Sequence, residues 1–525
     1  MKSFKLIMML VLAFSAISLL AETKGPQLQR ESYGVNDVQF NTISNFSFPV
    51  TNYGIYYLNV PLLEGNNAGG GYWPRGSNNQ YIFASGFWFG AQKINKQTNQ
   101  YRKLVAVSYN PNTGLSWYTP GRIEDGDTAI TSLEKKYRIY FSTNFDQTTG
   151  IPNITTDGPN WPLWKITDGS NIPYASENSR YVADESKRDI VNNPFGPSIL
   201  SGEDIVSVYK DTDLQFYEDG ANRAAQGYPL RTEVESRIYT WGSDELKDVV
   251  VISFKLTNLS TDTLKDCWFG KIVDADLATY PFTPDAFKND HIKYYSEDPS
   301  LNLLFAWTEL TQGESPDFGY MGCSLLESPT VDEKGFIKKN QLLFPLKEQL
   351  GLKSARKWSL QEDKLTDSSR YEFLSEDKKD VDGSAGDNRM LLSTGPYNLK
   401  PGEDCRIAYT LIFANPVDRL KYDGSNEDIN LLVQKAKLIK TTYYQGVSAV
   451  RSEEKLRAAS TVLIYPNPAQ DFINLESTGA EFIIYNINGK PVLSGIDIGR
   501  INISVLKSGL YLVLANDKFY KFVKE

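Results

Sequence analysis

Short apolar runs separated by turn residues dominate the chain, and they predict strands rather than helices. Residues 248–258 contain four consecutive apolar residues at 249–252, continue with apolar residues at 254 and 256, and close on an Asn-containing turn. Residues 263–273 are predicted to pair back on it as a second strand. In residues 406–414 every odd-numbered position from 407 onward carries a large apolar side chain. That period of two is typical of a strand with a buried face.

A glycine-rich loop at residues 65–79 precedes a dense aromatic strand at residues 81–91. The loop lacks the GxxxxGK[ST] pattern and leads into no helix, so we interpret it as a structural turn rather than a phosphate cradle. Gly86 and Gly90 interrupt the strand and are predicted to be bulges or close approaches of another chain segment.

The last part of the chain, residues 461–525, contains seven short apolar runs separated by Gly, Asn, Asp and Ser. This pattern predicts a small seven-stranded β-sandwich. Pro466 and Pro468 stop the first run, because proline has no N–H to offer a sheet ladder. Asn488-Gly489 supplies the positive φ angles of a tight hairpin turn.

One helix is predicted near the C-terminal side. Ser425 is its expected N-cap with Asp428 three residues later, and Gly446 is its expected end. Its apolar stripe consists of Ile429, Leu432, Val433, Ala436 and Tyr443. The rest of the chain is predicted to be strand and loop, so the predicted fold class is mainly β and multidomain.

The N-terminus has the pattern of a secretory signal peptide. Lys2 and Lys5 precede an uncharged, mostly apolar stretch at residues 6–21, and Ala21 is a small residue before the expected cut. The stretch is shorter than the about 20 residues that cross a bilayer. No later stretch approaches that length, so we expect no transmembrane segment in the mature chain.

Composition excludes several classes of function. The chain has 525 residues, of which 41% are hydrophobic and 23% are charged, enough for several cores. A net charge of -9 without a basic patch disfavours a nucleic-acid partner. Three cysteines allow at most one disulfide, and they lack CxxC spacing. The single histidine, His291, excludes an HExxH zinc site and leaves little room for a His-based triad.

The motifs in residues 461–525 resemble the type A C-terminal sorting domain of the type IX secretion system of Bacteroidetes and related bacteria. The motif residues are Tyr465, Pro466, Asn467, Pro468, Asn488, Gly489, Gly509 and Tyr511. The resemblance implies export to the periplasm and passage through the secretion machinery across the outer membrane. It further implies removal of the domain by a surface sortase, and release or attachment at the cell surface.

Two further resemblances concern the body of the protein. The strand ending in Thr-Asn, the expected hairpin and the Leu-x-Pro-Gly-Glu turn at residues 399–403 resemble immunoglobulin-like sandwich domains of bacterial surface proteins. Residues 71–76 and 89–92 resemble a stretch of uncharacterised secreted proteins that carry the same sorting domain, and this resemblance implies no activity.

The predicted domain division is a signal peptide at 1–21, a β-rich domain at 22–230, an immunoglobulin-like domain at 231–446 with an insertion at 277–384, a linker at 447–460, and the sorting domain at 461–525.

Acidic groups are the main candidate chemistry. Asp274 and Asp276 end a predicted strand, so both carboxylates can point the same way. Asp380, Asp382 and Asp387 form a second group. Calcium favours such oxygen clusters, but neither group completes an EF-hand loop. Bound calcium and solvated loop carboxylates therefore stay as alternatives at each group, and no other cofactor is expected.

Two positions match a short O-glycosylation pattern of Bacteroidetes, an Asp followed by Thr or Ser and then a small or aliphatic residue. They are Thr128 and Thr263. Such a modification would add a bulky, solubilising group on the surface.

The chain lacks the GxSxG elbow of serine hydrolases. The leading hypothesis is a secreted or cell-surface β-sandwich protein with a non-catalytic binding, adhesive or structural role. Its 31 Tyr and 9 Trp make surface glycans a candidate partner. The alternative is a secreted carboxylate-dependent glycoside hydrolase or another polysaccharide-active enzyme, since two carboxylates suffice for that reaction and no local motif selects a pair.

Overall fold

The structure is a computed structural model. It describes residues 37–56, 70–127, 137, 139–141, 201–217, 220–242, 245–283, 285–310, 317–338, 344–458, 466–474, 481–486, 490–496, 500–515 and 518–525. The chain divides into two compact units, Met1–Tyr443 and Tyr444–Glu525. The predicted signal peptide lies outside the described residues.

The larger unit contains a nine-stranded antiparallel sheet. Its strands are β6 (Thr119–Pro120), β7 (Tyr140–Phe141), β8 (Glu203–Lys210), β9 (Thr232–Thr240), β10 (Val249–Asn258), β12 (Asp290–Tyr294), β13 (Leu303–Thr308), β14 (Tyr320–Glu327) and β17 (Asp404–Ala414). They lie in the order β12-β13-β14-β17-β10-β9-β8-β6, and β7 also pairs with β8. The strand latest in sequence, β17, therefore lies inside the sheet between β14 and β10.

A six-stranded sheet faces the first. It consists of β3 (Gly71–Tyr72), β4 (Asn79–Asn95), β5 (Gln100–Val107), β11 (Leu264–Thr279), β15 (Ser354–Ser359) and β16 (Asn388–Leu399). Their order is β15-β16-β11-β4-β3, with β5 also paired to β4. A separate two-stranded sheet joins β1 (Val38–Phe40) to β2 (Pro49–Thr51).

An aromatic core fills the space between the two large sheets. Phe87 of β4 and Phe269 of β11 contact Phe254 of β10, with ring centroids 5.2 Å and 5.1 Å from the Phe254 ring. All three rings are fully buried. Because side chains from both sheets interdigitate in one core, the larger unit is a β-sandwich.

Helices cover the outer faces of this sandwich. The described helices are α1 (Gly220–Gln226), α2 (Asp367–Ser375) and α3 (Asn430–Ala458). Ile429, directly before α3, and Leu432 and Ala436 in its first turns pack in a second core with the outer face of the nine-stranded sheet. Leu374 of α2 packs on the six-stranded sheet. The mainly β fold class predicted from the sequence is confirmed.

The smaller unit is also β-rich. Its described strands are β18 (Phe472–Ile473), β19 (Glu481–Asn486), β20 (Pro491–Ile496), β21 (Ile501–Asn502), β22 (Gly509–Ala515) and β23 (Lys518–Lys524). The order of the four-stranded sheet is β20-β19-β22-β23, and β18 pairs with β21. Six of the seven predicted strands are found at their expected places, and the first lies outside the described residues.

The strands predicted at residues 248–258 and 406–414 are confirmed as β10 and β17. The hairpin predicted between residues 248–258 and 263–273 is wrong. Both edges of β10 are occupied, by β9 and β17, and residues 259–263 carry the chain across to the other sheet instead. Strand partners far away in sequence decide this pairing, and a local pattern does not contain them.

Two further boundaries differ from expectation. The structure draws strands from both sides of residue 230 into each large sheet, so the predicted domains at 22–230 and 231–446 share one compact unit. Helix α3 begins at Asn430, after a turn in which the Ser425 carbonyl accepts from the Asp428 and Ile429 N–H groups. It runs past Gly446 to Ala458, because one glycine inside a helix costs only about 1 kcal/mol.

Among the described helices none is long and apolar enough to cross a membrane.

Candidate functional site

Three aspartates meet at the end of β11. Asp274 and Asp276 are two residues apart on this strand, so their side chains lie on the same face. Asp274 pairs across the ladder with Arg389 of β16, and the same register extended by two residues brings Asp276 opposite Asp387. The carboxylate oxygens of Asp274, Asp276 and Asp387, here called the carboxylate cluster, lie within 4.8 Å of one another.

Within the carboxylate cluster, Asp274 has a hydrogen bond and an ion pair with neighbouring side chains. The Tyr109 hydroxyl donates to its Oδ2 at 2.5 Å, and Arg389 Nε lies 3.2 Å from the same oxygen. Its other oxygen, Oδ1, is buried and has no hydrogen-bond partner among the described residues. Burial opposes the charge of Arg389, but Asp274 and the neighbouring acids outweigh it and hold the pKa of this guanidinium above its ordinary value.

Asp276 is compensated less than Asp274, since the nearby charge of Arg389 favours its ionised form but is outweighed. The residue is 8% exposed, and its carboxylate forms no hydrogen bond or ion pair with the described part of the chain. Burial raises the pKa of Asp276 well above its ordinary value, and the nearby charges of Asp274, Asp387 and Asp290 raise it further. Burial and Asp274 also raise the pKa of Asp387. The carboxylate cluster thus concentrates negative charge where water is scarce.

The structure separates the second predicted acidic group. Asp380 accepts from Arg356 Nε and from the Lys357 backbone N–H of β15, both at 2.9 Å. Asp382 accepts from the Ser384 N–H and hydroxyl, and it lies 3.5 Å from Lys357 Nζ. Only Asp387 of this group joins Asp274 and Asp276, because it directly precedes β16 while the other two belong to a loop bonded to β15.

An exposed aromatic patch follows β11. Tyr280, Phe282 and Phe287, here called the aromatic surface, lie on the segment between β11 and β12. The ring of Phe282 lies 5.4 Å from that of Tyr280 and 5.2 Å from that of Phe287. Tyr280 is 46% exposed and the two phenylalanines are half-buried. These residues belong to the predicted insertion at 277–384 and were not singled out from the sequence, although three aromatic residues within eight positions are a signal that the sequence contains.

A cavity of about 270 Å³ lies beside α3, and its lining includes Trp73, Asp248, Leu431, Lys435 and Leu438. The Asp248 carboxylate accepts from Trp73 Nε1 at 2.7 Å and also from Lys435. Burial opposes ionisation, but these donors hold the pKa of Asp248 below its ordinary value. The carboxylate is therefore ionised and engaged by protein donors, which does not suit acid catalysis.

The predicted sorting motif has a structural basis in the smaller unit. Asn467 accepts from the Val523 N–H at 2.9 Å and donates to the Lys521 carbonyl at 3.1 Å, so its amide bonds the backbone of β23. Tyr511 is buried against Phe522 and donates to the Lys507 carbonyl at 2.7 Å. Gly509 opens β22, while Tyr465, Asn488 and Gly489 lie outside the described residues.

Of the two predicted glycosylation positions, Thr263 is half-buried in the connection between β10 and β11. Thr128 lies outside the described residues. Cys267, Cys323 and Cys405 are free and buried.

Comparison with known proteins identifies the C-terminal segment. Residues 463–525 match the secretion system C-terminal sorting domain family. This confirms the predicted sorting domain and supports export by the type IX secretion system. The protein is therefore exported, either into the medium or onto the outer-membrane surface.

Comparison with curated protein sequences finds no match. Among solved structures, a polysaccharide lyase is similar with 11% sequence identity and a TM-score of 0.18, over 56% of this chain and 34% of the lyase. The chain thus spans about a third of the length of that enzyme.

Proposed function

We propose that the mature chain is a secreted or surface-attached sandwich protein that binds glycans without cleaving them. In this proposal a surface sortase removes the C-terminal unit, and the body remains in the medium or at the cell surface. The immunoglobulin-like character of the central strands and the resemblance of the body to uncharacterised secreted proteins stay predictions.

The aromatic surface carries this proposal. A tyrosine that is 46% exposed beside two half-buried phenylalanines offers apolar ring faces to solvent. Such faces suit the apolar C–H faces of sugar rings, while the phenolic hydroxyl offers a polar contact. Asp285 and Lys288 form an exposed ion pair on the same segment, and both supply hydrogen-bonding groups for sugar hydroxyls.

Binding of the full chain to a glycan array and to insoluble polysaccharides tests the proposal. We expect Tyr280→Ala to weaken binding about 2- to 12-fold, because one aromatic contact contributes about 0.5–1.5 kcal/mol. Tyr101→Ala is the matched control. Tyr101 is 44% exposed, lies on β5 and has Lys265 Nζ 4.4 Å from its ring centroid. Loss of binding in both variants, or in neither, would contradict the role of the aromatic surface.

The hydrolase alternative is favoured by one observation, the raised pKa of Asp276 beside two other carboxylates. Retaining glycosidases place two carboxyl groups about 5–5.5 Å apart and keep one of them protonated. Release of new reducing ends from a bound polysaccharide, lost in Asp276→Asn, would replace the binding proposal with this alternative.

A further inference from the structure

We infer that Asp274, Asp276 and Asp387 form a calcium site that joins the end of β11 to the start of β16. The inference goes beyond glycan binding and does not depend on it. It rests on the charge of the carboxylate cluster, on its unpaired oxygens and on the chemistry of its ligand set.

The charge of the carboxylate cluster is not balanced by protein groups. Three carboxylates face one guanidinium, Arg389, whose Nε is 3.2 Å from Asp274. Asp290 adds further negative potential at Asp276. At least two negative charges are therefore uncompensated when the aspartates are ionised, and one divalent cation carries the charge to balance them. Asp276 and Asp387 lie opposite each other across the ladder, and like charges so placed destabilise a sheet unless a cation lies between them.

Unpaired oxygens point to the same ligand. Asp276 is more than nine-tenths buried, and the described residues give its carboxylate no hydrogen bond or ion pair. Oδ1 of Asp274 is likewise buried without a partner, although Oδ2 of the same group has two. Buried polar groups in native proteins are nearly always bonded, so these oxygens require a cation, a proton or water.

The ligand chemistry selects calcium among the cations. The three groups are all carboxylates, with neither thiolate nor imidazole among them, which suits hard cations. Calcium accepts irregular geometry and completes its shell with water, whereas magnesium demands a near-ideal octahedron. Extracellular calcium sites bind with a Kd of about 0.1–1 mM.

The position of the site suggests what calcium would do. Asp276 precedes Tyr280 by four residues, so the cation would hold the strand end from which the aromatic surface emerges. Asp290, at the far end of the segment that carries the aromatic surface, is already bonded to β11, since its Oδ2 accepts from the Leu277 N–H at 2.9 Å. Calcium would add a second link at the same strand end, between β11 and Asp387.

The test uses the purified full chain, stripped with a chelator and titrated with CaCl₂ in a calorimeter. We expect one calcium per chain and a rise in Tm of about 2–5 °C at 10 mM CaCl₂. Asp276→Asn is expected to lose the calcium response. It is also expected to raise the Tm of the metal-free protein, because it removes a buried charge that lacks a partner. Asp382→Asn is the matched control and should keep the full response, since Asp382 bonds Ser384 and Lys357 away from the cluster.

An unchanged Tm and no heat of binding would overturn the inference and would mean that protons neutralise the carboxylate cluster. A calcium response that survives in Asp276→Asn would also overturn it, because the cation would then bind elsewhere. Failure of the glycan experiment leaves this outcome unaffected, since neither readout uses a glycan.

Discussion

Lys271 is the residue least compatible with its surroundings. It lies on β11 and is fully buried in the sandwich core, with its Nζ 4.9 Å from the ring centroid of Tyr56 and 5.8 Å from that of Phe254. Its amine has no hydrogen-bond partner in the described part of the structure. Burial lowers the pKa of Lys271 from 10.5 to about 7. The two aromatic faces offset only part of the cost of desolvation.

Replacing this lysine should stabilise the protein. We expect Lys271→Met to raise the free energy of unfolding at pH 7 by on the order of 3 kcal/mol, measured by chemical denaturation. The gain should shrink as the pH rises from about 7 to about 10. In that window the unfolded chain holds a proton that the folded chain has released, so the stability of the natural protein increases with pH. Lys265→Met, at an exposed position of the same strand, is the control and should change little. A less stable Lys271→Met variant would contradict this account.

Helix α2 shows how single residues position an element. Gly90 of β4 and Gly270 of β11 lie beneath it, and their missing side chains leave room for Leu374 and Tyr371. A Cβ at Gly270 would clash with Leu374 and would lie 2.5 Å from Leu391 Cδ1. The helix therefore approaches the backbone of the six-stranded sheet directly. Gly90 was predicted from sequence to mark such an approach, and this is confirmed.

A methyl group at this contact should push the helix away. We expect Gly270→Ala to lower the free energy of unfolding by about 1–3 kcal/mol, as overpacking of a core does, in urea denaturation of the full chain. Gly242→Ala provides the comparison, because a Cβ there meets its nearest atoms, in Ile43, at ordinary distances of 3.6 Å and 3.8 Å. Equal effects of the two substitutions would show that α2 does not depend on the contact.

The elements differ in how far their sequence predicts them. β10 and β17 were predictable because the apolar pattern of each lies within its own sequence, whereas the pairing of β11 depends on strands more than 100 residues away. The candidate site likewise combines a part that is local in sequence with a part that depends on distant strands. Asp274 and Asp276 form a local pair, but their approach to Asp387 depends on the register between β11 and β16. The packing that buries Lys271 had no local signal at all.

The whole molecule consists of two units with separate cores. The two core clusters of the larger unit contain residues from Phe46 to Ile439, and the core of the smaller unit contains residues from Ala469 to Phe522. Among the described residues, no buried hydrophobic residue belongs both to a core of the larger unit and to the core of the smaller one. Each unit therefore has its own source of stability, which suits a sorting domain that can be removed without damage to the body.

Calorimetry can test this independence. We expect the full chain to unfold in two transitions, and deletion of residues 461–525 to remove one of them while the Tm of the other stays within about 2 °C. The reason is that both large sheets are complete without the deleted residues. A single transition that shifts by much more than this on deletion would mean that the units unfold together.

The central place of β17 in the nine-stranded sheet has a consequence for biosynthesis. The ribosome makes this strand after every other described strand of the larger unit, yet β10 and β14 both pair with it. Until residue 414 has been translated, the growing chain has a gap in the middle of the sheet and cannot complete a stable body. Pairing between strands far apart in sequence is intrinsically slow to form, so a body that must wait for β17 stays incompletely folded longer. The order of the strands thus ties completion of the larger unit to the last of its strands to be synthesised.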